Sequence, residues 1–182
     1  MPKYQTRESV ARRNQPNHDP RYLPFVRGQI RERIRSIPDC QVAHAEVGTD
    51  AGPKQIADLF IGLGRGEFLP YGSYYLTGFL HERPLARLRE SLAQLGIERA
   101  AGQAEPEDHA AILCEIMAGL ASGRFPAPEG AARALFEEHV APWMERFFLD
   151  LEQAEAAAFY RRTGTVGRVL MEIEREAFAL PS

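Results

Sequence analysis

Between Pro106 and Leu120 the chain places His109, Ile112, Leu113, Ile116, Met117 and Leu120 at steps of three and four. Such spacing sets all six side chains on one face of an α-helix, a stripe that other elements must cover. A proline at the first helical position costs nothing, because the amide hydrogen it lacks would have had no partner there. No stretch alternates apolar and polar residues for long enough to make a half-buried strand. The expectation is therefore an all-α fold, with six or seven helices packed as one helical bundle.

The same period recurs along the chain. Lys54–Leu63 carries Ile56, Leu59, Phe60 and Leu63 on one face before Gly62, Gly64 and Gly66 interrupt it. Ser73 is a candidate N-cap for a short aromatic helix over Tyr74–Leu80. Pro84 opens a helix with Leu85, Leu88, Leu92 and Leu95 on one side and Gly96 as its stop. Helices over Glu129–His139, Pro142–Tyr160 and Val166–Phe178 complete the pattern. Residues 1–24 are polar and hold four prolines, so residues 1–50 read as an irregular basic leader with one short helix, Phe25–Ile37. Residues 51–182 read as the helical domain.

Charge divides along the same line. Residues 1–35 hold nine Lys/Arg against three acids, giving +6, so the rest of the chain must carry −9 to leave the net −3. An acidic body attracts basic partners and repels phosphate, which makes nucleic acid an unfavourable partner for it. The basic leader allows two readings, a solvated tail or a nucleic-acid contact attached to a regulatory helical protein. Arg12-Arg13 is followed by Asn14-Gln15-Pro16-Asn17-His18-Asp19 where an export signal would need an apolar run. No run approaches the ~20 apolar residues of a membrane span, and Cys40 and Cys114 form no Cys-x-x-Cys pair. Retention in a reducing cytoplasm, without a membrane span, is the expectation.

Glu105-Pro106-Glu107-Asp108-His109 carries the most chemistry. With Pro106 at N1, Glu105 becomes the N-cap and Glu107 and Asp108 follow it, so three carboxylates face the positive end of the helix dipole. Helix initiation alone accounts for Glu105 and Glu107. His109 heads the apolar stripe, where it is either a satisfied core residue or, beside Asp108, half of a charge-assisted clamp for a basic peptide. A metal use is disfavoured because no Glu-x-x-His repeats on two helices; Glu138-His139 and His81-Glu82 are adjacent and diverge on a helix. No metal or other cofactor is expected.

In Leu59-Phe60-Ile61-Gly62-Leu63-Gly64-Arg65-Gly66-Glu67-Phe68-Leu69-Pro70-Tyr71-Gly72-Ser73-Tyr74-Tyr75 the glycines lack the preceding strand and the closing Gly-Lys-Ser/Thr of a phosphate loop. They suit a connection that gathers Phe68, Pro70, Tyr71, Tyr74 and Tyr75, either as a peptide-facing surface or as a core cluster. Ser73 lies in no Gly-x-Ser-x-Gly elbow and neither cysteine neighbours a histidine, so no catalytic constellation emerges and the chain does not read as an enzyme.

Together these segments resemble the TorD family, cytoplasmic maturation chaperones of molybdenum oxidoreductases that include the DmsD and NarJ types. Glu105 to His109 is similar to the family's E-P-x-D-H motif, and Leu59-Phe60 with Pro70-Tyr71-Gly72-Ser73-Tyr74-Tyr75 is similar to its aromatic loop. Phe136-Glu137-Glu138-His139-Val140-Ala141-Pro142-Trp143 resembles its F-x-x-H-x-x-x-W run, and the likeness spans roughly residues 54–180. It implies a non-enzymatic helical chaperone that binds the N-terminal, often twin-arginine, leader of an apo-catalytic subunit until the molybdenum cofactor is inserted. It also implies peptide contacts at Leu59, Pro70, Tyr71, Ser73, Tyr75, Asp108 and His109, with Glu105, Pro106, His139 and Trp143 as structural motif positions. The glycine-aromatic wording looks most like members that serve formate dehydrogenases. Residues 1–50 depart from the apolar helix pair that usually opens the family, so a homodimer formed by exchange of helices is a further expectation.

Overall fold

The computed structural model describes residues 4–6, 25–26, 28–29, 32–33, 68–100, 104–154 and 158–180, with the side chains of 158 and 159 left out of the description. The expected helix over Lys54–Leu63 and the position Leu59 lie outside these residues. Two compact units are present: residues 1–23 with 71–143, and residues 24–70 with 144–182. Helices dominate both, as the spacing predicts.

The first unit contains α1 (Gly72–Thr77), α2 (Arg83–Gln94), α3 (Ala110–Ala121) and α4 (Ala131–Leu135). In α2 the buried face is Leu85, Leu88 and Leu92, and the proline sits in its first turn. In α3 Ile112, Leu113, Ile116 and Leu120 are buried, as their spacing requires, and Met117 is half-buried. Each such side chain contributes about 1.5–3 kcal/mol when fully removed from water. After α4 the hydrogen bonding widens: Phe136–Val140 is π-helical, and the Ala141 N–H reaches back to the Phe136 carbonyl at 2.8 Å. The sequence-based helix over Glu129–His139 is thus two segments of different pitch.

The all-α expectation holds, with one short strand pair added to the helices. β1 (Tyr4–Thr6) runs antiparallel to β2 (Ile97–Arg99), with Tyr4 opposite Arg99 and Thr6 opposite Ile97. Three residues per strand are too few to produce a visible alternation, which is why the pattern escapes a sequence reading. The pairing also gives a definite structure to part of the leader. Tyr4 is buried, and burial, with the Glu107 carboxylate nearby, pushes its phenol up to about 12.

The second unit contains α5 (Met144–Gln153) and α6 (Ala158–Phe178), a helix that begins well before the expected Val166. Phe147, Phe148 and Leu151 of α5 and Val169, Met171, Ile173 and Ala177 of α6 supply the core. Close approach is set by two glycines of α6. A Cβ on Gly164 would lie 2.5 Å from the Glu152 amide nitrogen, and one on Gly167 would lie 2.2 Å from the Phe148 ring. Arg168 ties the pair at its edge, reaching Glu152 at 2.9 Å and Glu172 at 2.7 Å. The described residues of the expected Phe25–Ile37 helix are helical, and Arg33 forks onto Glu176 at 2.6 and 2.7 Å.

Because the obstacle at Gly164 is backbone, which cannot rotate away, Gly164→Val should lower stability by about 1–3 kcal/mol or more, the usual cost of overpacking. A urea midpoint equal to that of the wild type would show that the helices can separate freely there.

Candidate functional site

The Glu105–His109 segment is not the first turn of a helix. α3 starts at Ala110, and His109 is its N-cap, with the ring Nδ1 accepting the Ala111 N–H at 3.1 Å. In that arrangement a neutral ring carries its proton on Nε2. This corrects the assignment of Glu105 as cap and of Pro106, Glu107 and Asp108 as helical. The reason is that Glu107 and Asp108 are used elsewhere. Glu107 is buried and paired with Arg89 at 2.8 Å and Arg99 at 3.5 Å.

Asp108 is the centre of the site. Its carbonyl accepts the Gly72 N–H at 2.9 Å and its carboxylate Oδ2 accepts the Ser73 N–H at 2.8 Å. α1 has no side-chain cap of its own, since Tyr71 at the N-cap position cannot reach back. One residue distant in sequence therefore satisfies the first two amide donors of α1. Tyr71 and His109 form an isolated antiparallel bridge beside this contact, and their rings meet edge to face at 5.2 Å. The Tyr71 hydroxyl donates to Glu105 Oε2 at 2.8 Å. Burial and that hydrogen bond push the phenol up to about 12, so Tyr71 remains a donor under all ordinary conditions.

Ser73 and Asp108 are 1% and 3% exposed, and Ser73 Oγ and Asp108 Oδ1 have no hydrogen-bond partner among the described residues. Asp108 lines a cleft of about 80 Å³ with Gly72, Leu76, Leu88, Arg87 and Glu138. His139 and Trp143 close its far side. The wider turn at Phe136–Val140 holds this pair: Trp143 Nε1 donates to the His139 carbonyl at 2.8 Å, and His139 Nε2 lies 2.8 Å from Ser91 Oγ. Gly72 is required where it stands, because a Cβ there would come within 2.9 Å of Trp143 Nε1. Tyr75 packs against Trp143 with ring centroids 5.6 Å apart.

Of the positions expected to meet peptide, Tyr71, Ser73, Tyr75, Asp108 and His109 thus come together in the first unit. Ser73 is enclosed, whereas Tyr71, Tyr75 and His109 are half-buried. Pro70 is buried and belongs to the other unit. Sequence reasoning misses Arg87, Leu76 and Glu138, which line the cleft. Arg87 and Leu76 lie on solvent-facing positions of helices whose visible signal is their apolar faces. Glu138 shows in the sequence only as half of an adjacent pair, with nothing to indicate what lies across from it.

Burial holds the His139 imidazole below its ordinary value of 6.5, aided by Arg87 and opposed by Glu138. The folded chain therefore favours the neutral ring, and protons bind preferentially to the unfolded chain. His139 should leave stability unaffected above about pH 6.5 and reduce it as the pH falls below that value. Urea midpoints measured against pH for the wild type and for His139→Gln check this: the decline below pH 6.5 should be shallower in the variant, and identical slopes would assign it to other groups.

The described residues of the first unit form a helical body with a side-chain-sized cleft. Among them no three His, Cys, Asp or Glu side chains converge as metal ligands, and no helix is long and apolar enough to cross a membrane. The family model described as nitrate reductase delta subunit matches residues 54–149, and the chain belongs to this family, the TorD-like group that the motifs resemble. Proteins named Chaperone protein TorD from Vibrio cholerae serotype O1 and Aliivibrio fischeri are 29% and 28% identical to it. The matched stretches, 138 and 126 residues long, cover 71% and 64% of this chain and 60% and 56% of those relatives. The chain thus matches less than two thirds of the length of these relatives. No solved structure matches it.

Proposed function

We propose that the chain is a chaperone, not an enzyme, that binds the N-terminal leader of the apo-catalytic subunit of a molybdenum oxidoreductase in the cytoplasm and assists its maturation before cofactor insertion. Membership of the family and the chaperone names of its relatives support this reading. Formate dehydrogenase is the proposed client, on the wording of residues 62–75. The observation that carries the binding reading is Asp108, a buried carboxylate lining an open cleft with one oxygen unmatched. A carboxylate only accepts, so what completes this site must donate hydrogen bonds, as a leader rich in arginine and lysine does. The half-buried rings of Tyr71 and Tyr75 offer apolar area beside it, at about 25 cal/mol per Å² covered.

Asp108→Asn keeps an oxygen for the Ser73 N–H and removes the charge, which separates binding from folding. Calorimetry with a twin-arginine leader peptide should show affinity about tenfold weaker or more, the size of a charged hydrogen bond. The wild-type affinity should also fall with salt. Equal affinity in the variant and the wild type, with an unchanged urea midpoint, would rule out the clamp.

A further inference from the structure

The segment that joins α1 to α2 carries its apolar side chains outward. Leu76, Phe79 and Leu80 are 45%, 69% and 39% exposed, three of the four exposed large hydrophobics among the described residues. Every residue from 76 to 83 is exposed, so the three belong to one contiguous patch, a feature that marks an interaction surface. The turn is held in shape. Gly78 and His81 are left-handed, with φ of 82° and 61°; the Gly78 N–H closes α1 on the Tyr74 carbonyl at 2.7 Å, and Thr77 Oγ1 accepts the Phe79 N–H at 3.3 Å.

Cations flank the patch. Arg83 and Arg87 are exposed and form no ion pair among the described residues, whereas Arg89 and Arg99 of the same unit are both committed to Glu107. Arg83 follows Leu80 by three residues, and Arg87 shares a wall of the cleft with Leu76. Residues 76–87 hold these two arginines against Glu82 alone, and residues 1–23, which belong to the same unit, hold five Lys/Arg against two acids.

The partner must use both the charge and the apolar area. A nucleic acid would engage the arginines through its phosphates and leave three apolar side chains in water. A protein segment is enclosed by a groove, and Phe79 and Leu80 stand outside the cleft that Leu76 borders. The surface of an anionic bilayer uses both parts. Its phosphates meet the guanidinium groups, whose stems lie along apolar surface, while Phe79 and the leucines enter the boundary between headgroups and acyl chains.

We propose that the Leu76–Leu80 turn, with Arg83 and Arg87, is a docking surface for an anionic lipid bilayer, entered by Phe79 and Leu80 to the depth of the headgroups. The association is peripheral and reversible. No helix among the described residues is long and apolar enough to cross a membrane, and three partly exposed side chains bury too little area for a permanent anchor. Phe79, Leu80 and Arg83 do not line the cleft around Asp108, so the surface is independent of what that cleft binds.

The test is sedimentation of the full chain with vesicles of phosphatidylcholine alone and of phosphatidylcholine mixed with phosphatidylglycerol. The wild-type chain should pellet with the mixed vesicles only, and less as salt rises. Phe79→Ser combined with Leu80→Ser should weaken binding about tenfold or more, and Arg83→Glu about fivefold, each with the wild-type urea midpoint because these positions are exposed. Insertion has its own readout. Trp143, the single tryptophan of the chain, is buried, so bromine on the upper acyl chain should quench the fluorescence of the Phe79→Trp protein and leave the wild type nearly unchanged. Failure of the wild type to pellet with mixed vesicles overturns the proposal, as does equal binding by the doubly substituted chain or a Phe79→Trp protein that brominated lipid does not quench. Capture of an acidic, leucine-containing peptide by a chain that ignores vesicles, lost in the same variants, would assign the turn to a protein partner and overturn it equally.

Discussion

The first unit depends on one residue meeting two amide donors. Asp108 accepts from Gly72 through its carbonyl and from Ser73 through its carboxylate, joining segments separated by more than thirty residues. Such a contact replaces the local cap that α1 lacks and fixes the entry to α3 at the same time, since the next residue, His109, caps that helix. Leaving the two donors of α1 unmet would cost about 1–3 kcal/mol each if they remained buried. Glu107 beside Asp108 takes Arg89 and Arg99, while Arg87 lines the cleft with Asp108.

The apolar stripe of α3 and the leucine face of α2 are legible because burial acts on every third or fourth residue, and period survives without knowledge of neighbours. The start of α3 is not. Pro106 with flanking carboxylates satisfies every local rule for a helix N-terminus, yet tertiary partners for Glu107 and Asp108 hold those residues out of the helix. Local propensity is worth tenths of a kcal/mol per residue, whereas a buried charged hydrogen bond is worth about 1.5–3 kcal/mol. The stronger interaction moves the start of the helix from Pro106 to Ala110 and gives His109 the role of a cap instead of a core residue.

Likewise, His139 and Trp143 are recognisable as motif positions, but the turn that carries them is not. A π-helical step inserts one residue into the helical repeat and redirects the following side chains. Its signal is the Phe136–Ala141 hydrogen bond, which no residue type announces. In the second unit Gly164-Thr165-Val166-Gly167 does carry information, because small residues three apart permit close helix contact, yet glycines also weaken a helical pattern and so favour a later start than the one observed. Arg33, one of the nine cations of the leader, is bound to Glu176 and Glu172, so its charge is matched inside its own unit rather than offered to phosphate.

These constraints together bear on why a binding site would be built from capping residues at all. A carboxylate on a flexible surface loop loses side-chain entropy each time it pairs, and its ion pairs in water yield about 0–1 kcal/mol. Asp108 has already lost that freedom, since one oxygen is anchored to Ser73 and its backbone to Gly72. Its other oxygen is thus preorganised, and burial reduces the competition from solvent. On the proposed reading, the structural demand of α1 for a distant cap and the demand of a partner for a fixed acceptor would fall on the same residue, and a change at Asp108 would act on both unless, as with asparagine, it preserves the first.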